Sequence, residues 1–317
     1  MNKILIFRTD RIGDFLISTP IFSSLKRNYS KCKIDIICSK MNYDYISSFD
    51  FFDNIFIFPS NFLKKLSLFI TLGSYDHILV LDGKKRSIYI SILKSSKNKI
   101  LFTPSIFIQN LFKFFFDKVY LIDYNIPKID IINKYLKEHN CDSKSEDINF
   151  LINYENLNSL KIKTYDQDYI LLNFDEKWIY KNYIKNYQNI EPTLKEFINF
   201  IHHLSKNNKV VITNGFSENY IINKFNENND NLDFNNVIVK DKINIFELQS
   251  LIKHSRCVIS CHGAPSHIAS NYNKKIIDIV DNSEIKFFES YNHHFDNKIQ
   301  IIRDNFDNLS KKILASI

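Results

Sequence analysis

Glycine and proline are scarce, at 5 and 6 residues in a chain of 317. That excludes a collagen-like repeat, a Gly/Ser linker and a Pro-rich recognition tract. Cysteine is also sparse. Its five copies, Cys32, Cys38, Cys141, Cys257 and Cys261, are an odd number at irregular spacing, which excludes a paired disulfide framework. No window reaches about 18 uncharged apolar residues, so no membrane-spanning helix is expected. No secretory leader is legible, because Lys3, Arg8, Asp10, Arg11 and Asp14 interrupt the N-terminus. These absences together lead us to expect a reduced, cytoplasmic protein. No repeat of about 20–50 residues is visible.

What is present is ordinary for a globular protein: 44% apolar and 24% charged residues. The 28 Phe and 17 Tyr, with many Ile, Asn and Lys, fit an AT-rich coding genome rather than a function. The length suggests about two domains. Charge is unevenly spread. Residues 1–150 hold 22 Lys+Arg against 15 Asp+Glu, and residues 151–317 hold 20 of each, so the whole excess of +7 lies in the first half. An anionic partner should meet that half.

Short apolar runs of β-type residues recur along the chain. In the first half they are Lys3–Phe7, Lys33–Cys38, Asn54–Phe58, His77–Asp82 and Lys99–Phe102. In the second they are Tyr169–Asn173, Lys209–Thr213, Asn236–Val239, Cys257–Ser260 and Lys275–Val280. Between them, residues 15–27 read as one helix with Pro20 near its start, and 192–207 and 246–254 read as helices. Strand, helix, strand is the opening of a parallel α/β sheet. The polar stretch from about 128 to 168 reads as a linker. We expect domains at 1–160 and 161–317 facing a cleft, with ligands at the carboxyl ends of strands.

Four segments carry candidate chemistry. In Arg8-Thr-Asp-Arg-Ile-Gly-Asp14, Gly13 permits a tight turn and Asp14 opens a helix. Two readings stand: Asp14 as helix N-cap with Arg8 or Arg11 as its salt partner, or Asp14 as a general base. Asn173-Phe-Asp-Glu-Lys-Trp178 ends in a lysine that is either a phosphate contact or a surface residue beside the only Trp. In Asn214-Gly-Phe-Ser-Glu218, Gly215 allows close approach to a nucleotide. Glu218 there is either a ribose acceptor or a favourable acid at a helix start. Ser260-Cys-His-Gly-Ala-Pro-Ser-His267 joins a small-residue turn to a helix N-terminus, which is a ready phosphate site. Cys257, Cys261, His262 and His267 resemble a zinc cluster in composition only, since their spacing is not that of a zinc knuckle.

The run Phe7-Arg-Thr-Asp-Arg-Ile-Gly-Asp-Phe-Leu-Ile-Ser-Thr-Pro20 resembles the N-terminal signature of the glycosyltransferase family 9, the heptosyltransferase family. Tyr75-Asp-His-Ile-Leu-Val-Leu-Asp82 is similar to a later strand of the family with its preceding Tyr-Asp. The resemblance implies an α/β, GT-B fold of two Rossmann-like, doubly wound parallel-sheet domains. The acceptor would bind the first and the nucleotide-sugar the second. It implies inverting, metal-independent transfer, with no resident cofactor and no Asp-x-Asp metal motif. Asp14 matches the family's catalytic base. Arg8, Gly13, Lys177, Gly215, Glu218, His262, Gly263 and His267 are the expected donor contacts. Cys261-His262-Gly263 stands where the family has Asp-Thr-Gly, and His267 lies one residue later than usual.

The activity so implied is transfer of a sugar to a lipopolysaccharide or other envelope-glycan acceptor. A heptose from an ADP-linked donor is the leading instance. A different GT-B enzyme, such as a nucleotide-sugar epimerase, and a non-catalytic binding homologue are the rivals. The Phe-rich run 105–118, with Lys113 and Lys118, reads either as a core helix or as a face for an anionic membrane surface. Nothing points to nucleic acid.

Overall fold

The computed structural model describes residues 2–152, 168–180, 186–215, 219–229 and 234–317. The expected boundary at 160/161 lies outside the described residues. The chain forms two compact units, Met1–Phe150 with Glu289–His294, and Leu151–Phe288 with Phe295–Ile317.

The first unit is built on β1 (Lys3–Arg8), β2 (Lys33–Cys38), β3 (Asn54–Ile57), β4 (Tyr75–Val80), β5 (Ser96–Thr103) and β6 (Lys118–Leu121). The second is built on β7 (Tyr169–Asn173), β8 (Lys209–Thr213), β9 (Val237–Lys240), β10 (Cys257–Cys261), β11 (Lys275–Val280) and β12 (Lys298–Ile302). Among the described residues these make two sheets, ordered β3-β2-β1-β4-β5-β6 and β12-β11-β10-β7-β8-β9. All pairings are parallel. The central strands are continuous apolar runs because helices cover both faces of a parallel sheet. Ile4, Leu5, Ile6 and Phe7 of β1, and Ile170, Leu171 and Leu172 of β7, are fully buried. Each order reverses once, between β1 and β4 in the first sheet and between β7 and β10 in the second. A crevice at the carboxyl ends of strands opens at such a reversal, and ligands bind there.

Three expectations need correction. The helix expected over 15–27 is two helices, Ile12–Leu16 and Thr19–Asn28. Pro20 has no N–H to give the Leu16 carbonyl, so the chain breaks and the Thr19 hydroxyl donates to that carbonyl instead, at 2.8 Å. The polar stretch from 128 is not all linker. Lys128–Glu138 is a helix whose Ile129, Ile132, Tyr135 and Leu136 are buried. The run 105–118 is not one helix either. Ile106–Phe112 is helical and Lys113–Phe115 is one tighter turn. Lys118 then opens β6 and pairs with Glu138 at 3.1 Å.

Candidate functional site

The reversal point of the first sheet is a buried cluster of charge. Residues 9–11, which follow β1, are pinned from two sides. Thr9 donates to Asp82 Oδ2 through its N–H at 3.2 Å and its hydroxyl at 2.5 Å. Asn42 donates to the Asp10 carbonyl at 2.6 Å. Arg8 is fully buried. Its guanidinium donates to the Leu81 carbonyl at 2.7 Å, to the Asp14 carbonyl at 2.9 Å, and lies 3.1 Å from Asp10 and 3.6 Å from Asp14 Oδ1. A guanidinium committed in this way braces the loop. The expected donor contact at Arg8 does not fit its burial.

Asp14 is the third residue of its helix, with Arg11 in the capping position, so the N-cap alternative is set aside. Gly13 is an ordinary helical residue here, and the tight turn expected of it is absent. The Asp14 side chain is 22% exposed. Burial pushes its carboxyl up, but Arg8, Lys128 and the Arg11 N–H outweigh that and hold it below its ordinary value. Lys128 Nζ lies 3.9 Å from Asp14 Oδ1 and donates to the Tyr291 hydroxyl. It also sits 4.1 Å from the centre of that ring. Burial and the nearby Arg8 push Lys128 down to about 8. Burial pushes Asp10 up to about 7, and its Oδ1 has no hydrogen-bond partner among the described residues. Sequence reasoning missed Lys128 and Tyr291. The available signal for Lys128 was Pro127 ahead of helically spaced apolar residues. Tyr291, 163 residues away, had none.

In the second sheet the reversal point brings together the segments after β7 and β10. Asn173, at the end of β7, is tied to its neighbours. Thr213 donates to Asn173 Oδ1 at 3.1 Å, Asn173 Nδ2 donates to Asp175 at 3.1 Å, and Trp178 Nε1 donates to the Asn173 carbonyl at 2.9 Å. Trp178 is fully buried and anchors the loop. Lys177 is therefore no loose surface residue. Its side chain is 13% exposed, with Nζ 3.0 Å from Asp175 Oδ2. A Cβ on Gly263 would stand 2.5 Å from Lys177 Nζ, so the amine passes directly over that glycine. A Cβ on Gly215 would meet Glu176 Oε2 at 1.9 Å and Asp175 Cβ at 3.0 Å. Gly215 thus admits the Asp175–Lys177 segment. Glu218 lies outside the described residues.

Gly263 caps the helix Ala264–Asn271, whose first turn carries the backbone N–H groups of Ala264 and Ser266, Pro265 having none. His262 Nδ1 is 2.8 Å from Asp278 Oδ2, and Ser266 donates to the other oxygen at 2.7 Å. His267 is buried, edge-on to Phe295 at 5.2 Å, and its burial does not suit the expected ligand contact. Arg303, which sequence reasoning also missed, donates to the Lys177 carbonyl at 2.8 Å and fixes the loop from beneath. The structure therefore gathers Lys177, Gly215, His262 and Gly263 at one point.

Among the described residues no group of three or more His, Cys, Asp or Glu side chains could hold a metal. Cys257 packs in the core, and burial pushes Cys261 up to about 12, unlike a thiolate ligand. An Asp-x-Asp does occur, Asp166-Gln-Asp168, against the expectation of none. Asp166 lies outside the described residues. Asp168 precedes β7 at its amino end, 3.5 Å from Arg256 and a strand's length from Lys177.

No family model matches the sequence, and comparison with curated proteins gives no match. Solved structures do match. The two units together define the GT-B fold. E. coli heptosyltransferase WaaC with ADP-2-deoxy-2-fluoro heptose aligns over 99% of this chain and 100% of that one, at 12% identity and a TM-score of 0.73. A family 9 glycosyltransferase from Veillonella parvula aligns over 98% and 89%, at 13% identity and 0.65. The UDP-GlcNAc 2-epimerase from Methanocaldococcus jannaschii aligns over 100% and 92%, at 13% and 0.60. The chain thus has a heptosyltransferase-like GT-B fold.

Proposed function

We propose that the chain is an inverting, cytoplasmic glycosyltransferase. It moves a sugar from a nucleoside diphosphate to a hydroxyl of lipopolysaccharide or another envelope glycan. A heptose on an ADP-linked donor is the first candidate, because that is the ligand named with the WaaC structure. One observation carries the reading: the two reversal points hold complementary chemistry. The first offers an ionised carboxylate, Asp14, and the second a cation, Lys177, over the N-terminus of a helix.

In this reading the acceptor oxygen attacks the anomeric carbon from the side opposite the diphosphate. The new C–O bond forms as the bond to the phosphate oxygen breaks, so the anomeric configuration inverts. Asp14 takes the hydroxyl proton, and Arg8 positions it. Lys177 and the amides after Gly263 stabilise the departing diphosphate, with His262 oriented by Asp278 beside them. These groups carry the leaving charge without a metal, so a chelator should leave turnover unchanged.

The epimerase likeness supports a second reading, interconversion of a nucleotide-sugar without an acceptor. Incubation with a panel of nucleotide-sugars, with and without a saccharide acceptor, separates the two. Transfer requires acceptor and releases nucleoside diphosphate. Epimerisation alters the donor sugar with no acceptor present. Binding with neither reaction would leave only a non-catalytic homologue.

A further inference from the structure

Three helical segments of the first unit follow β3, β4 and β5: Phe62–Thr71, Lys85–Leu93, and Ile106–Phe112 with its turn Lys113–Phe115. Their inner sides share one core, where Leu68, Ile88 and Phe112 join Ile78, Val80 and Leu101. They lie side by side. Lys94 donates to the Phe69 carbonyl at 2.8 Å, and the Tyr89 and Phe112 rings are 5.8 Å apart. The outer sides are also apolar. Phe62 and Leu63 are 77% exposed, Ile70 74%, Leu93 70%, Phe107 66% and Phe114 85%. More than half of the large apolar side chains exposed among the described residues belong to these segments. A contiguous patch of this kind marks an interaction surface.

Its charge has one sign. The segments carry Lys64, Lys65, Lys85, Arg86 and Lys113 and no acidic residue. The Lys113 ammonium sits 5.2 Å from the centre of the Phe114 ring, placing cation and apolar body together. A solvated helix face ordinarily mixes both signs. Pairing with a second copy about a two-fold axis would bring cations against cations, with no carboxylate on the patch to receive them.

We propose that this face docks on an anionic phospholipid bilayer, with the aromatic and aliphatic side chains at the acyl boundary and the lysines among the headgroups. Among the described residues no helix is long and apolar enough to cross a membrane, so the chain lies on the surface. The proposal goes beyond the glycosyl-transfer reading and does not depend on it.

Flotation of the full chain with phosphatidylcholine vesicles, with and without phosphatidylglycerol, is the test. Partition is expected to rise with phosphatidylglycerol and to fall with salt as the Debye length shrinks. Lys64→Gln with Lys113→Gln should lower it about twenty-five-fold, from about fivefold per lysine. Lys64→Arg with Lys113→Arg should restore it. Phe107→Ser with Phe114→Ser should abolish flotation while the circular dichroism spectrum and melting midpoint stay native. Absence of flotation, or equal flotation with both lipids, overturns the proposal. So does a dimer in sedimentation that the Phe variant dissolves, which would assign the face to self-association.

Discussion

A carboxylate that is to take a proton must be ionised before the hydroxyl arrives, and it must not be so well solvated that it ignores it. Asp14 meets both conditions: it is largely buried, yet Arg8 and Lys128 keep it charged. Asp14→Asn keeps the shape and should cut turnover by roughly 10²–10⁴-fold. Wild-type rates in that variant would remove Asp14 from the mechanism. Lys128 gives a second expectation. Its proton leaves near pH 8, well below the ordinary lysine range, and with it goes a positive charge beside Asp14. The kcat/KM profile should therefore fall on its alkaline side near pH 8. Lys128→Gln should abolish that limb, and Lys128→Arg should move it upward. A profile identical in all three proteins would show that the amine is a bystander. Asp10 acts on stability in the opposite sense to Asp14. A carboxyl raised from 3.8 to about 7 contributes stability that is fully present below 3.8 and is lost as the pH rises through about 7. Asp10→Asn should thus raise the melting midpoint above pH 7 and leave it nearly unchanged below pH 3.8. A uniform shift would show that the orphaned oxygen, not the titration, sets the difference.

At the scale of elements, the inner strands were legible and the misses lay at the edges. The strands readable from apolar runs include the inner four of each sheet. The two that escaped, β6 and β12, are edges. Each begins with lysine and is only partly covered. Gln300 interrupts the apolar run of β12, whereas Val119-Tyr-Leu121 of β6 is an unbroken apolar run, masked by the reading of Lys118 as the end of the Phe-rich helix 105–118. The helix Lys128–Glu138 escaped because its outer face is as polar as a linker, although its inner face kept helical spacing. The donor loop was legible as a motif. Its bracing was not, because Asn173, Thr213 and Arg303 meet it from three different strand ends. Gly263 sets a test of that bracing. A Cβ there would meet the far end of a flexible side chain, so Gly263→Ala should displace the Lys177 amine and leave the fold intact. Affinity for a nucleoside diphosphate should drop about tenfold, the loss of one charge-assisted contact of about 1.5 kcal/mol. Affinity for the bare nucleoside should hold. Equal weakening of both would mean that the loop itself had moved.

For the whole molecule, two sheets with separate cores predict two calorimetric transitions. A nucleoside diphosphate at about a hundred times its Kd stabilises the unit that binds it by about 2.7 kcal/mol, and should raise one transition alone. If both rise together, or if neither responds to any nucleotide tried, the assignment of the donor to the second unit falls. The division also has a consequence for synthesis. The strands of the first unit are complete by residue 121, yet Glu289–His294 belongs to it as well. On the ribosome, Lys128 emerges 163 residues ahead of Tyr291, the ring that covers it. Until Tyr291 is made, the Lys128 amine lacks both the hydroxyl it donates to and the ring it lies against. The charged cluster around Asp14 is therefore closed by a segment made long after the strands that carry it.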